Sequence, residues 1–475
     1  MLAIKDYPRA EKVFLYFYEI TQIPRGSGNR KKITDYLVNF AKERNLDVIK
    51  DEQDNVIIKK SATPGYENKP TIILQGHTDI VAEKTPDCPL DMEKEGLKVF
   101  RDGDFIRAEG TSLGGDDGIG IAYALAILGS NDIPHPAIEA VFTSDEEIGL
   151  IGATRLDTSV LNGKALINLD SDQEGIFTVG CAGGIRIDSE LSISRETAKG
   201  SVYEINVGGL LGGHSGIEID KNRANAIKIL AEILSDIQDV RLISFSGGNA
   251  DNAIPRDAVA RFACCNDIKP VFEASIKKIK SKIEPKETEF WASISKISSN
   301  ISALSTESTE SILSLISSIP TGVVSMSSDI EGLVETSLNV GIAETLPNKF
   351  TLSLSLRSSK NEEKKALQKR VTNIAESIGA TVSARGEYPA WEFKKDSNIL
   401  PIMCEIYEKM FNRSPVVNIT HAGLECGIFA DKIGGIDCVS IGPDNYDIHT
   451  PNEHLSISST VRIYDFLLEI LKNIQ

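Results

Sequence analysis

The sequence predicts an α/β fold: a largely parallel central sheet flanked by helices, with an α+β segment inserted into it. Three observations carry that prediction. Helical and strand patterns alternate through roughly the first 190 residues, the order that crossover connections between parallel strands produce. The middle of the chain then changes to strand, helix, two strands, helix, the order of split βαβ units in which helices cover an antiparallel sheet. The tail returns to the first pattern, and 475 residues exceed the size at which one hydrophobic core stops growing, so at least two domains are expected.

Taken in order, apolar residues at helical spacing predict helices over about 8–22 and 30–44, and short apolar runs predict strands near 55–60 and 71–76. A helix over about 117–129 and strands near 138–143 and 165–169 complete the first alternation. From about 201 come a strand ("SVYEINV"), a helix ("NRANAIKILAEILSDI"), two strands and a helix. Strands near 333–341 and 350–357, a helix at 361–378 and a strand at 380–384 follow. The Ser-rich stretch 292–319 places Ile294, Ile297, Ile301 and Leu304 at helical spacing, which predicts an amphipathic helix ended by Pro320 and Gly322. After "GEYPAW" (386–391) come a long helix, a strand "CVSIGP" (438–443) and a closing helix from about 457. The expected domains are one built from both chain ends, 1–189 with 387–475, and one inserted, 190–386.

Composition is that of an ordinary folded chain, 41% hydrophobic and 25% charged with no long polar tract. Lys and Arg number 51 against 68 Asp and Glu, and the net charge of -17 repels phosphate backbones and anionic lipid, so no nucleic acid and no membrane is expected as a partner. The opening "MLAIKDYPRAEKVFLYF" is charged throughout and lacks a signal pattern, while the longest apolar run, "IGIAYALAIL", is too short to cross a bilayer. The seven cysteines follow no framework spacing, and adjacent Cys264 and Cys265 would make an awkward disulfide. Free thiols and a cytoplasmic location are expected.

Polar residues recur at the C-terminal ends of the expected strands, where open α/β sheets place their sites. His77 and Asp79 follow "TIILQG", Asp116 and Asp117 follow a Gly-rich turn in "TSLGGDDGIG", and Glu146 and Glu147 follow "IEAVFTSD". Asp170 follows "KALINL" and His449 follows "VSIGPDNYDI". Each has a plain structural reading, as a loop histidine, a helix N-terminus, a solvated acidic turn or a strand-ending turn. Those readings are independent of one another, whereas a single metal site accounts for all of them. Imidazole and carboxylate without nearby thiolate suit zinc, manganese or cobalt, and a carboxylate able to bridge suits a two-metal site. Converging carboxylates without cations would repel, and these motifs contain no Lys or Arg to neutralise them.

The same motifs, with "GGHSG", "NAIPR", "VETSLNVG", "LRSS", "HAGLECG" and the later "HTPNE", run in order along nearly the whole chain. The chain resembles the aminoacyl-histidine dipeptidases (Xaa-His or cytosol non-specific dipeptidases, the PepD family) within the superfamily of co-catalytic zinc aminoacylases and carboxypeptidases. The resemblance implies a metallo-dipeptidase that hydrolyses small peptides, Xaa-His dipeptides among them, with two divalent metal ions, zinc or else cobalt or manganese. It implies that Asp116 bridges the ions, with His77 and Asp170 on one and Glu147 and His449 on the other. Asp79 would hydrogen-bond His77 and fix its tautomer. A cis peptide is implied between Asp116 and Asp117. Glu146 would be the general base, taking a proton from the metal-bridging water and passing it to the leaving amine.

For the substrate, the resemblance implies His214 at the tetrahedral oxyanion with Asn252 nearby, Arg357 on the carboxylate, and His421 and Glu425 shaping the pocket for the substrate's termini. His214 and Asn252 also read as ordinary turn residues, and an arginine at a strand end is more often a surface ion pair. Residues 190–386 would form a lid of ferredoxin-like (split βαβ) units on the catalytic domain. The segment is long enough for two units, which would let His214 act within its own chain, in a monomer or a homodimer. Two other readings stay open here. One is an N-acyl amino acid deacylase or carboxypeptidase with the same metal centre; the other is a non-catalytic metal-dependent binding protein, against which the intact ligand set and Glu146 speak.

Overall fold

The computed structural model describes residues 4, 6–297, 302–328, 330 and 332–474. The chain divides into two compact units. The first comprises Met1–Cys181, Phe393–Ile419 and Leu424–Gln475; the second comprises Ala182–Glu392 and Thr420–Gly423.

The first unit is built on an eight-stranded sheet in the order Asp47–Lys50, Val56–Lys60, Ile138–Thr143, Ile72–His77, Ala165–Asn168, Asp437–Ser440, Ile176–Cys181, Val416–Thr420. Its four central members, Ile138–Thr143 through Asp437–Ser440, pair in parallel, and antiparallel strands extend it at both sides. Every residue of the four is buried, which is why they read as unbroken apolar runs rather than as alternating patterns. The helix Gly115–Leu128 is buried almost throughout, as "GIGIAYALAIL" demands, and packs on the strand Ile72–His77. The expected mostly parallel sheet flanked by helices is what the chain forms.

The second unit contains a nine-stranded sheet. Its main path runs Trp291–Ile297, Ser201–Gly208, Ala258–Cys264, Arg241–Gly247, Val334–Thr345, Lys349–Ser358, Gly183–Ser192, Thr381–Tyr388. This is two ferredoxin-like βαββαβ repeats set side by side. One runs from Ser201 to Ile297 around helices Ala226–Asp236 and Lys269–Ile283; the other uses Gly183–Ser192, then helices Thr306–Ser318 and Asn361–Ser377 with the remaining three strands. The first repeat is threaded between the first strand and the first helix of the second. Antiparallel pairing of Ser246 with Glu344 and Gly247 with Ala343 joins them into one sheet.

Several details differ from expectation. Residues 292–319 do not form one helix: Trp291–Ile297 and Ser302–Leu304 are strands, and the helix is Thr306–Ser318, begun by Ser305, whose side chain accepts the Ser308 N–H. Ile294 and Ile297 lie in the strand paired with Ser201–Gly208, and Ile301 lies outside the described residues. The unit boundary falls at 181/182 rather than 189/190, because Gly183–Ser192 pairs with Lys349–Ser358 and Thr381–Tyr388. A four-stranded sheet of Val99–Asp102, Phe105–Ala108, Asn445–Tyr446 and His454–Ser456 and the helix Glu425–Ile433 have no counterpart in the sequence reading. Among the described residues there is no disulfide and no helix long and apolar enough to cross a membrane.

Candidate active site

The C-terminal ends of the parallel strands gather six polar side chains. His77 closes its strand, Glu146 and Glu147 follow Ile138–Thr143, Asp170 follows Ala165–Asn168, and the loop leaving Asp437–Ser440 carries His449. Asp116 stands at the start of the helix Gly115–Leu128, where the backbone departs from helical angles and the Asp116–Asp117 peptide is cis. Asp117 itself points inward and its Oδ2 accepts the His77 N–H at 3.2 Å. A Cβ at residue 76 would lie 2.1 Å from that oxygen, so glycine is needed before His77.

Asp116 joins the two histidines. Its Oδ1 is 2.9 Å from His77 Nε2, and its Oδ2 is 3.0 Å from His449 Nε2. Asp170 Oδ1 is 3.4 Å from the same His77 nitrogen, and Glu147 Oε1 is 3.1 Å from the same His449 nitrogen. Two sets of ligand atoms result, His77–Asp116–Asp170 and Asp116–Glu147–His449, each within 4.8 Å, and a third grouping places Glu146 with His77 and Glu147. Ligand atoms about 2.0 Å from a tetrahedral cation stand about 3.3 Å apart, so these spacings suit a metal held between them. Glu147 Oε1 is buried and makes no hydrogen bond despite the nearness of His449. That is the relation of two ligands facing one cation.

Electrostatics make the same case. Burial raises Asp170 to about 7 and raises Glu146 well above the ordinary carboxyl range, Glu146 being pushed further by Asp170, Glu425 and Glu147. His449 is raised to about 10 by the Asp116 carboxylate that its Nε2 meets and by the Glu147 carboxylate beside it. Burial would raise Asp116 too, but His449 and His77 hold it well below its usual value. The protein alone must therefore keep protons on the histidines and on some of the acids; cations in the two ligand sets would replace them.

On its other side, His77 Nδ1 is 3.1 Å from the backbone carbonyl of Asp79 and 3.6 Å from its carboxylate. The nearer partner is the carbonyl, which makes Nδ1 a protonated nitrogen and would leave the Nε2 lone pair for a cation held with Asp116 and Asp170. The Asp79 carboxylate accepts the backbone N–H groups of Glu146 and Glu147, at 2.9 and 3.3 Å, and the Ser27 hydroxyl at 2.7 Å. Asp79 thus ties the His77 strand end to the Glu146–Glu147 loop.

Residues 73–473 match the model for peptidase family M20/M25/M40. The chain belongs to that family. It is 35% identical over 467 residues to the cytosol non-specific dipeptidase of Escherichia coli (strain K12), covering 96% of each chain. It is similar to the crystal structure of aminoacylhistidine dipeptidase from Vibrio alginolyticus, with a TM-score of 0.92 and 34% identity over 98% of each chain. Aminopeptidase PepT from Bacillus cereus ATCC 10987, at TM-score 0.59 and 18% identity over 98% of each chain, shares the fold. The family read from the motifs is borne out, and the chain is a peptide hydrolase.

In the second unit of this M20 peptidase, His214, Asn252, Arg357 and His421 come together. A Cβ on Gly216 would lie 2.9 Å from His214 Cε1, 3.2 Å from Arg357 Cζ and 3.1 Å from the His421 carbonyl oxygen. His214 pairs with Ala253, the neighbour of Asn252. The Nδ1 of His214 accepts the N–H groups of Gly216 and Ile217 at 3.2 Å each, so the proton of the neutral ring sits on Nε2. Burial and the charge of Arg357 lower its pKa and keep it neutral. Arg357 is only 6% exposed, donates to the Tyr388 hydroxyl at 3.0 Å, and has no carboxylate partner among the described residues. It is not a surface ion pair. His421 Nε2 is 2.8 Å from the Ser337 hydroxyl, and burial with the Arg357 charge lowers its pKa to about 4.

Glu425 belongs to the first unit and is fully buried there, its Oε2 accepting from Gln75 at 2.5 Å and Thr143 at 2.6 Å while Oε1 has no partner among the described residues. Burial raises its carboxyl to about 7.

Two supports of the site went unnoticed in the sequence. Glu453 accepts the N–H groups of Leu113, Gly114, Gly115 and Asp116, at 2.7, 2.8, 2.8 and 3.3 Å. Arg25 donates to the carbonyls of Thr78, Asp79 and Gly114, at 3.0, 3.2 and 2.6 Å. The motif "HTPNE" was the one visible sign of Glu453; Arg25 left none.

Proposed function

We propose that this M20 peptidase is a di-metal dipeptidase that cleaves small peptides, Xaa-His dipeptides among them. The observation that carries the reading is Asp116, with one carboxylate oxygen 2.9 Å from His77 and the other 3.0 Å from His449. His77 and Asp170 would hold one ion and Glu147 and His449 the other, with Asp116 available to both. Two divalent cations there, zinc or else cobalt or manganese, would polarise the scissile carbonyl and make water a nucleophile near neutral pH.

The chain's own groups do the rest. Glu146 takes the proton of the attacking water on its carboxylate and returns it to the leaving amine. His214 donates its Nε2–H to the oxyanion that develops on the carbonyl, and Asn252 stands beside it. Arg357 binds the substrate carboxylate, which supplies the anion that a buried guanidinium needs. His421, neutral beside Arg357, and Glu425, held by Gln75 and Thr143, shape the pocket for the substrate's termini. The second unit, Ala182–Glu392 with Thr420–Gly423, acts as a lid, which favours short substrates. Cysteines without a disulfide among the described residues and the name of the Escherichia coli relative support a cytoplasmic site of action.

Elemental analysis of wild type and Glu146→Ala, with assays on alanyl-histidine and an N-acetyl amino acid, tests the reading. Both proteins should hold about two metals per chain and only the wild type should cleave the dipeptide. Turnover of the acetylated substrate alone would make the protein a deacylase, and absence of metal under varied supply would sink the site assignment.

A further inference from the structure

Three consecutive carbonyls in the turn that carries Asn252 are already taken. Asn339 Nδ2 donates to the carbonyls of Asp251 and Ala253 at 2.9 and 2.8 Å, and the carbonyl of Asn252 between them accepts the Ser215 N–H at 2.8 Å. Asn339 is 1% exposed on the strand Val334–Thr345, inside the nine-stranded sheet. Ser215 directly follows His214, and the pairs His214 with Ala253 and Gly213 with Ile254 continue the contact. One amide on a packed strand therefore fixes the Asn252 turn and, through it, the strand that presents His214.

The surroundings fit that role. A Cβ at Gly341 would lie 2.5 Å from the Asp251 carbonyl oxygen, so the "LNVG" run both admits the turn and binds it. The Asp251 carboxylate is held by Arg186 at 3.4 Å and Arg385 at 3.0 Å. By contrast, the Asn252 side chain makes no hydrogen bond among the described residues and is left for a ligand.

We infer that Asn339 is a positioning residue whose amide sets where Asn252 and His214 meet the substrate. The inference rests on the reading of those two residues as substrate contacts. Aspartate at this position keeps the size but offers oxygen where two carbonyls need N–H, so the turn must move. Displacing a reacting-site group by about 1 Å costs about a hundredfold in rate.

The test is kcat and KM for alanyl-histidine on the full-length, metal-loaded enzyme. Wild type, Asn252→Ala, His214→Ala, Asn339→Asp and the Asn252→Ala/Asn339→Asp double variant are compared, with the thermal midpoint and metal content of each. Asn339→Asp should lower kcat by about tenfold or more at unchanged metal content. The double variant should lose less than the product of the two single losses, because a removed amide cannot be misplaced while His214 still can. A kcat for Asn339→Asp within about twofold of wild type, or losses that multiply in the double variant, overturns the inference. If instead Asn252→Ala and His214→Ala both turn over like wild type, the reading of substrate contacts fails first and takes the inference with it. Should Asn339→Asp not fold, Asn339→Ser, which keeps a donor, is compared with Asn339→Ala; Asn339→Ser should be the faster, and equal rates overturn the inference.

Discussion

Replacing Glu453 with glutamine leaves one acceptor oxygen where two now serve four backbone N–H groups. Oε2 takes Leu113 and Gly114, while Oε1 takes Gly115, Asp116 and the Asn445 amide, the last at 3.1 Å. The new NH2 group would point at two of those donors. Hydrogen bonds to a charged acceptor contribute about 1.5–3 kcal/mol each, so two lost bonds amount to about 3–6 kcal/mol. Glu453 is 2% exposed and burial raises its pKa, so relief of desolvation offsets part of that loss. A net destabilisation of about 2–4 kcal/mol is expected. Because the affected backbone carries Asp116, metal affinity should fall by about 10–100-fold, the usual effect of removing a partner that orients a metal ligand. Urea unfolding of the metal-free protein reads the first quantity, and competition against a chromogenic chelator reads the second. An unchanged midpoint with unchanged affinity refutes the idea that Glu453 holds the Asp116 turn; lost stability with full affinity confines its role to the fold.

Arg357→Met should raise KM for a dipeptide by roughly thirtyfold or more, about 2 kcal/mol, without lowering the thermal midpoint, since it removes a buried charge that has no acidic partner among the described residues. Steady-state kinetics on a dipeptide and its C-terminal amide check this: wild type should favour the free acid and the variant should not discriminate. Glu174 is a pH-dependent element of the first unit, its carboxylate bonded to Arg462 at 2.6–3.0 Å and to Arg413 at 3.0 Å. Burial would raise it, but the arginines bring its folded pKa below the usual value, so its contribution is fully present above the unfolded pKa of about 4.3 and is lost as pH falls through the folded value. Glu174→Gln should cost about 1 kcal/mol at pH 7, modest because both arginines are partly exposed, and thermal melts should converge with wild type in acid; a constant difference at every pH would refute the linkage.

How much of the fold was legible follows from how each element meets water. Strands buried on both faces, such as Ile72–His77 and Ile138–Thr143, appear as continuous apolar runs that turn residues bound on either side, and their positions could be read to within a residue or two. Trp291–Ile297 is an edge strand with no fully buried residue, and Ile294 and Ile297 happen to stand three apart, the spacing of a helix face. Periodicity could not separate the two cases; only the pairing with Ser201–Gly208 decides it. Gly183–Ser192 was missed for a different reason. Its partners, Lys349–Ser358 and Thr381–Tyr388, lie more than a hundred residues away, so nothing local marks where one unit ends and the other begins.

The site divides along a similar line. The chain has six histidines, and two of them close or follow parallel strands, so scarcity of the residue type made His77 and His449 conspicuous. Carboxylates at neighbouring strand ends then completed a set that only cations could neutralise. Glu453, Arg25 and Asn339 act differently: each grips main-chain N–H or carbonyl groups, which every residue except proline supplies alike. A side chain bound to another side chain, as Ser337 is to His421, restricts the identity of both partners and leaves a trace in sequence. A side chain bound to backbone restricts only where its partner lies. Such supports therefore carry the precision of the site while their role leaves almost no pattern, even where a motif contains the residue, as "HTPNE" does Glu453 and "VETSLNVG" does Asn339, and substitutions at them should disturb turnover or metal affinity.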